Sequence, residues 1–339
     1  MIKLFIHLLI TTLILSYATP LLKTGQTKSY NHSNEVLDGS IKDDGYYQVG
    51  ATRSYFRIGN VVIDNVTGLQ WQDNESVKKQ WITDDSYSAG DYNNTSGDTA
   101  TSYCSNLSLD GGGWRLPSVE ELETIIDFSK ANPSVTEGVF NFISSDYYWS
   151  SSTYIKDPLH AWNVRFSKGY SRNYYKYNER NVLCVRGEQL DDSSLSRSGE
   201  SVSDSNTNLQ WQDSEIVKTQ STYWLRAINY CEDLSLDGSN DWRLPNYIEL
   251  LSIVDRALSS PSINSIFVNV GPSYEQTFWS STSLSTVSSY GMIINFINGD
   301  SKFDDKNNHY HVRCVRGGQL DSSSDTSKIN PSIIMYLLN

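Results

Sequence analysis

The sequence predicts two tandem α+β domains. Three observations carry that reading: a four-part internal repeat, helix- and strand-period patterns within each copy, and two cysteines at matching places in each copy. At 339 residues the chain is long enough for two domains that each bury a core. Its charge of -12 argues against a surface that grips nucleic acid as a whole, so no nucleic-acid partner is expected.

The first residues read as a secretory signal. Lys3 precedes an apolar run from Leu4 to Leu15, and Ser16 and Ala18 stand at the small-residue positions of a cleavage site, so residues 1–18 are expected to be removed or, alternatively, retained as an anchor. No later segment approaches the length of a membrane span. Residues 19–190 are the expected first domain, its lead-in of residues 19–60 packed on it. Residues 191–201 are an expected Ser/Asp-rich linker, 202–321 the second domain, and 322–339 a tail.

The repeat fixes the order of elements. "DNVTGLQWQD" (64–73) returns as "DSNTNLQWQD" (204–213), and both read as a turn followed by a strand. Ala100, Cys104 and Leu107, matched by Ala227, Cys231 and Leu234, then mark one face of a helix. "WRLP" follows at Trp114 and Trp242, leading into capping boxes formed by Ser118 with Glu121 and by Asn246 with Glu249. Leu122, Ile125 and Ile126, or Leu250, Ile253 and Val254, give that second helix its apolar stripe. Trp162, Val164 and Phe166, or Met292, Ile294 and Phe296, alternate as strands and run into turns at Lys168-Gly169 or Asn298-Gly299. Arg115 and Arg243, each close to a glutamate in the following helix, read as structural ion pairs. The paired tryptophans Trp71/Trp211, Trp114/Trp242 and Trp149/Trp279 read as core.

An even cysteine count at repeated spacing in a secreted chain argues for disulfides, and two similar units that each fold alone require pairing within each copy: Cys104 with Cys184, and Cys231 with Cys314. A bond closing a loop of about 80 residues contributes roughly 4–5 kcal/mol in the chain-entropy picture. The rival reading, a reactive or metal-binding thiol pair, lacks both the C-x-x-C spacing and a repeated histidine.

"YCSNLSLDGGGWRLPSVEEL", "YWSSS" and the closing "CVRG" resemble the Lcl C-terminal domain family, and the second-helix start is also similar to the sulfatase-modifying branch of the C-type-lectin-like fold. That resemblance implies two C-type-lectin-like domains, each with two helices and a small antiparallel sheet. It also implies surface adhesion and sulfated-glycan binding. Formylglycine-type oxidation would need free thiols, and no G-x-S-x-G, H-E-x-x-H, P-loop or G-x-G-x-x-G motif is present, so no catalytic residue and no cofactor is expected. His309 and His311 correspond to Glu179 and Asn181 in the first copy, and the sugar-binding calcium motifs are missing, so no metal is expected.

Recognition is expected where the copies differ. Residues 156–186 carry seven basic residues against two acidic, whereas 286–316 carry four against three. Trp162, Arg165, Lys168, Arg172, Tyr174, Tyr175, Lys176 and Arg180 are the candidate ligand-binding residues, because guanidinium groups pair with oxyanions and rings stack on sugar faces. A second difference is an insertion in the first copy, with 31 residues from Asp73 to Cys104 against 18 from Asp213 to Cys231. The expected function is a non-catalytic secreted, periplasmic or cell-surface protein that binds anionic glycan or another surface ligand through domain one. The alternative is a structural or protein-interaction module without a glycan ligand.

Overall fold

The computed structural model describes residues 20–190, 193–271 and 276–318. The expected signal, residues 1–18, and the tail, 322–339, lie outside the described residues.

Each repeat holds two small sheets with the same strand order. In the first repeat a four-stranded antiparallel sheet runs Val185–Arg186, Gln70–Gln72, Val61–Asp64, Tyr55–Ile58. A five-stranded sheet runs Val77–Lys79, Arg180–Val182, Tyr147–Thr153, His160–Arg165, Tyr170–Tyr175. The second repeat answers with Val315–Gly317, Leu209–Gln212, Ser201–Asp204, Leu195–Ser198, and with Ser221–Thr222, Tyr310–His311, Thr277–Ser283, Tyr290–Asn295, Asp300–Asp305. Within these four sheets the described strands pair antiparallel except for one bridge in each five-stranded sheet, Asn181 with Tyr148 and His311 with Phe278. The stretch read as a linker therefore supplies an edge strand of the second repeat, just as Tyr55–Ile58 does for the first.

This arrangement corrects the expected fold class. The chain is built mainly from four small, largely antiparallel sheets with few helices, not from two C-type-lectin-like α+β domains. The helices stand where the patterns put them, but Ala100–Ser105, Val119–Thr124, Trp224–Glu232 and Tyr247–Leu251 span only five to nine residues. Ser118 and Asn246 form their capping boxes, yet Ile125 and Ile126 are buried beyond the helix end. At one to two and a half turns such helices cannot cover a sheet face. The buried tryptophans and the strands of the sheets do that work instead.

The recurring "WRLP" is a junction between sheet and helix. Arg115 bridges backbone to backbone with Val185 of the last strand, and its guanidinium makes a two-pronged pair at 2.6 Å with Glu121, whose Oε2 also accepts the Ser118 N–H. Arg243, Glu249, Asn246 and Val315 repeat every contact. Planar, two-pronged pairing is what a guanidinium offers and an ammonium does not. Beside each junction lies a disulfide, Cys104–Cys184 and Cys231–Cys314, with sequence separations of 80 and 83.

The repeats are not independent units. One hydrophobic cluster joins Val62, Trp71, Trp162, Val164 and Phe166 of the first repeat to Tyr247, Met292, Ile294 and Phe296 of the second. The seam has pseudo-twofold character. Ser171 and Ser301, equivalent in the two copies, meet through a backbone-to-hydroxyl bond of 2.9 Å and a hydroxyl pair at 3.0 Å. A buried ion pair crosses beside them, Arg256 Nη2 to Glu123 Oε1 at 2.6 Å, with Glu120 at 3.0 Å and the Ser171 hydroxyl donating to Glu123 at 2.5 Å.

The lead-in packs on both repeats. Thr24 O accepts from Phe128 N–H on the first repeat. On the second, Ser283 N–H donates to Gln26, Thr282 to Asp44, Tyr47 to Glu232, and Ile41 sits in the core around Trp224 and Trp242.

Candidate functional site

The five-stranded sheet of the first repeat sets the geometry of the site. Its register places Tyr147, Arg165 and Tyr170 in one row, Trp149, Asn163 and Arg172 in the next, and Ala161 beside Tyr174. Because side chains alternate across a strand, Arg165, Arg172, Tyr147, Tyr170 and Tyr174 share one face, and Arg180 joins them from the neighbouring strand. Arg165 lies 4.9 Å over the Tyr147 ring and donates to the Tyr170 hydroxyl at 3.0 Å, while that hydroxyl is 3.2 Å from the one on Tyr147. Arg180 lies 4.2 Å over Tyr174 and 5.2 Å over Tyr147, and Arg172 is 5.6 Å from Tyr174. Ring faces hold cations this way without neutralising them.

Among the described residues no carboxylate pairs with Arg165, Arg172 or Arg180. Arg180 Nη1 donates only to the Glu179 carbonyl, and the buried Nε atoms of Arg165 and Arg180 have no hydrogen-bond partner. Burial pushes Tyr147 above the usual phenol range. Burial acts on Tyr170 in the same direction, but the hydrogen bonds with Tyr147 and Arg165 and the charges of Arg165 and Arg172 outweigh it and hold that phenol below its ordinary value. Guanidinium groups held beside polarised phenols have the chemistry that pairs with an oxyanion.

The same face of the second repeat has opposite chemistry. Thr277, Asn295, Asp300, Lys302, Asp304 and Tyr310 stand where the first repeat has Tyr147, Arg165, Tyr170, Arg172, Tyr174 and Arg180. Its acids are engaged: Asp304 with the Tyr310 hydroxyl at 2.5 Å and with Lys302 at 3.9 Å, Asp300 with Asn298 and Asn173. A cleft of about 930 Å³ between the repeats contains none of the arginine cluster. Its lining includes Glu120, Asp204 and Asp255, and its one basic residue, Arg256, is held by Glu120 and Glu123.

The model of the Lcl C-terminal domain matches residues 60–186 and again 200–316. The chain belongs to the Lcl C-terminal domain family. No curated protein matches it.

Within the first Lcl C-terminal domain the eight candidate residues separate into groups. Arg165, Arg172, Tyr174 and Arg180 come together, joined by Tyr147 and Tyr170. Lys168 turns to the seam, its ammonium 4.5 Å over the Phe303 ring of the second domain. Trp162 is wholly buried beneath Arg256, 4.8 Å away, and belongs to the shared core. Lys176 is buried as well: Nζ donates to Tyr92 O at 2.8 Å and Asn93 Oδ1 at 3.2 Å, 4.1 Å over Trp81, and burial pulls its pKa down to about 8. Its counterpart Lys306 repeats this with Tyr30 O, Asn31 O and Trp224. Tyr175 points to the other side of the strand, against His160 and Tyr177. Tyr147 is not among the residues the sequence singles out, although a signal exists: it differs from Thr277, and recognition is expected where the copies differ.

Among the described residues no group of three or more His, Cys, Asp or Glu is placed to hold a metal ion. Both Lcl C-terminal domains keep their cysteines in disulfides.

Proposed function

We propose that the chain is a non-catalytic binding protein of a secreted, periplasmic or surface location, whose first repeat takes an anionic glycan on its arginine–tyrosine face. One observation carries this reading: three arginines converge on that face without a carboxylate partner among the described residues, while the second repeat has Asn295, Lys302 and Tyr310 at those positions and the engaged acids Asp300 and Asp304 in place of Tyr170 and Tyr174. Tyrosine rings between the guanidinium groups favour a sugar over a bare ion, because rings stack on the apolar faces of pyranoses while hydroxyls bond their edges. The two disulfides and the signal-like start of the sequence support an oxidising compartment. No described helix is long and apolar enough to cross a membrane.

The test is titration calorimetry with chondroitin sulfate and heparin at rising salt. Binding that weakens with ionic strength, and falls about tenfold or more in the Arg172→Ala/Arg180→Ala protein but not in Lys302→Ala, is the expected result. A wild-type protein that retains no anionic glycan at low salt refutes the reading and favours the alternative, a protein-interaction module.

A further inference from the structure

The insertion that distinguishes the first repeat delivers two tyrosines to a row of rings. Tyr87, on the short helix Asp84–Ser88, stands 6.0 Å from Tyr92 and 4.8 Å from Tyr177. Tyr177 stacks at 27° and 5.3 Å on Tyr175, which lies 4.0 Å from His160. Tyr175 lies on the opposite side of the strand from Tyr174, with ring centroids 6.2 Å apart, so the row meets the arginine cluster around the end of the strand Tyr170–Tyr175, next to the ring that Arg180 covers. Tyr87 and Tyr175 are 37% and 41% exposed, and among the described residues the hydroxyls of Tyr87, Tyr92, Tyr175 and Tyr177 have no hydrogen-bond partner. Lys176 clamps the insertion through Tyr92 O and Asn93, and Gln80 ties Asp84 to Tyr177 O, so the rings are held in place before any ligand arrives.

The second repeat has no such row. Asp305 and Asn307 replace Tyr175 and Tyr177, and the lead-in occupies the position of the missing insertion, with Tyr30 O and Asn31 O on Lys306. The row therefore occurs in the repeat that carries the arginine cluster, and it adjoins that cluster around the end of the strand Tyr170–Tyr175.

Resting on the anionic-glycan reading, we propose that Tyr92, Tyr87, Tyr177, Tyr175 and His160 form a second subsite that takes uncharged pyranose rings of the same ligand. The ligand is then an extended, sparsely charged polysaccharide: its oxyanions sit on Arg165, Arg172 and Arg180, and its neutral rings lie along the tyrosines. Phenols with idle hydroxyls suit a sugar chain, which offers an apolar ring face and hydroxyl edges at each residue. A lipid surface would call for aliphatic and indole side chains instead.

Gellan fragments of four and of twelve sugars, which carry one carboxylate in every four rings, separate the subsites, with uncharged cellohexaose as a third probe. In the full chain, Tyr87→Ala/Tyr177→Ala is expected to weaken the twelve-sugar fragment about tenfold, with the four-sugar fragment and the salt dependence unchanged. Tyr87→Phe/Tyr177→Phe, which keeps the rings, restores most of the loss and guards against a folding defect. Equal affinity of the alanine variant and the parent for the longer fragment overturns the tyrosine subsite and leaves the anionic reading standing. Binding of cellohexaose alone, blocked in the alanine variant, overturns the anionic reading and leaves the stacking row. A protein that takes none of the three probes overturns both.

Discussion

Replacing Arg256 by leucine tests the seam between the repeats. Arg256 and Glu123 are 4% and 5% exposed at their side chains and pair at 2.6 Å, with Ser171 as the carboxylate's other close partner. Without the guanidinium, Glu123 keeps one hydroxyl donor in a buried seam, and loss of one member of a buried pair costs about 3–5 kcal/mol. Burial already pushes Glu123 above its ordinary value of 4.5, with Arg256 as the leading counterweight, so its removal raises that pKa further. A carboxyl with a raised folded pKa holds a proton that the unfolded chain has released. The variant's stability therefore falls as pH climbs through that window, by up to about 1.4 kcal/mol per unit. Urea denaturation without reductant should show a large defect at pH 7, a smaller one at pH 5, and recovery of most of it in Glu123→Gln/Arg256→Met. A defect below about 1 kcal/mol at pH 7, or no recovery in the double variant, would refute the assignment of the seam to this pair.

Two further outcomes follow from the packing. Burial lowers Lys306 to about 7 from 10.5, so between those values the unfolded chain binds the extra proton and wild-type stability gains with rising pH, a gain lost below pH 7; Lys306→Met should flatten this slope between pH 7 and 9 in denaturation curves. Residues 20–190 and 193–318 made as separate chains should each give poorly dispersed amide spectra and associate on mixing, because Trp162, Phe166, Tyr247 and Phe296 share one core; two well-dispersed monomers that ignore each other would contradict it.

What was legible in the sequence is what local chemistry dictates. Capping boxes announce helix starts through residue types three apart, the Arg–Glu pairs sit within six residues of each other, and the cysteines pair within copies because each copy has two. The fold class was not legible, since an apolar stripe such as Leu122, Ile125 and Ile126 does not state whether it continues as helix or leaves it after one turn. Nor was the seam: Ser171 and Ser301 look like ordinary strand residues until they face each other. The site was half legible. Charge counting led to Arg165, Arg172 and Arg180 but also to Lys176, whose recurrence as Lys306 marks it as scaffold by the logic that assigned the tryptophans. Trp162 belonged to the alternating core pattern, and its burial follows from that pattern.

The clamp on Lys306 has a consequence for biogenesis. Its acceptors, the carbonyls of Tyr30 and Asn31, precede it by some 276 residues, so a ribosome adding 5–20 residues per second separates the two by roughly 15 to 55 s. During that wait the leading segment has no lysine to hold and Trp224 no lid, so the early strap closes over a late-made strand only after Lys306 has been added, shortly before the Cys231–Cys314 pair and the final strand become available.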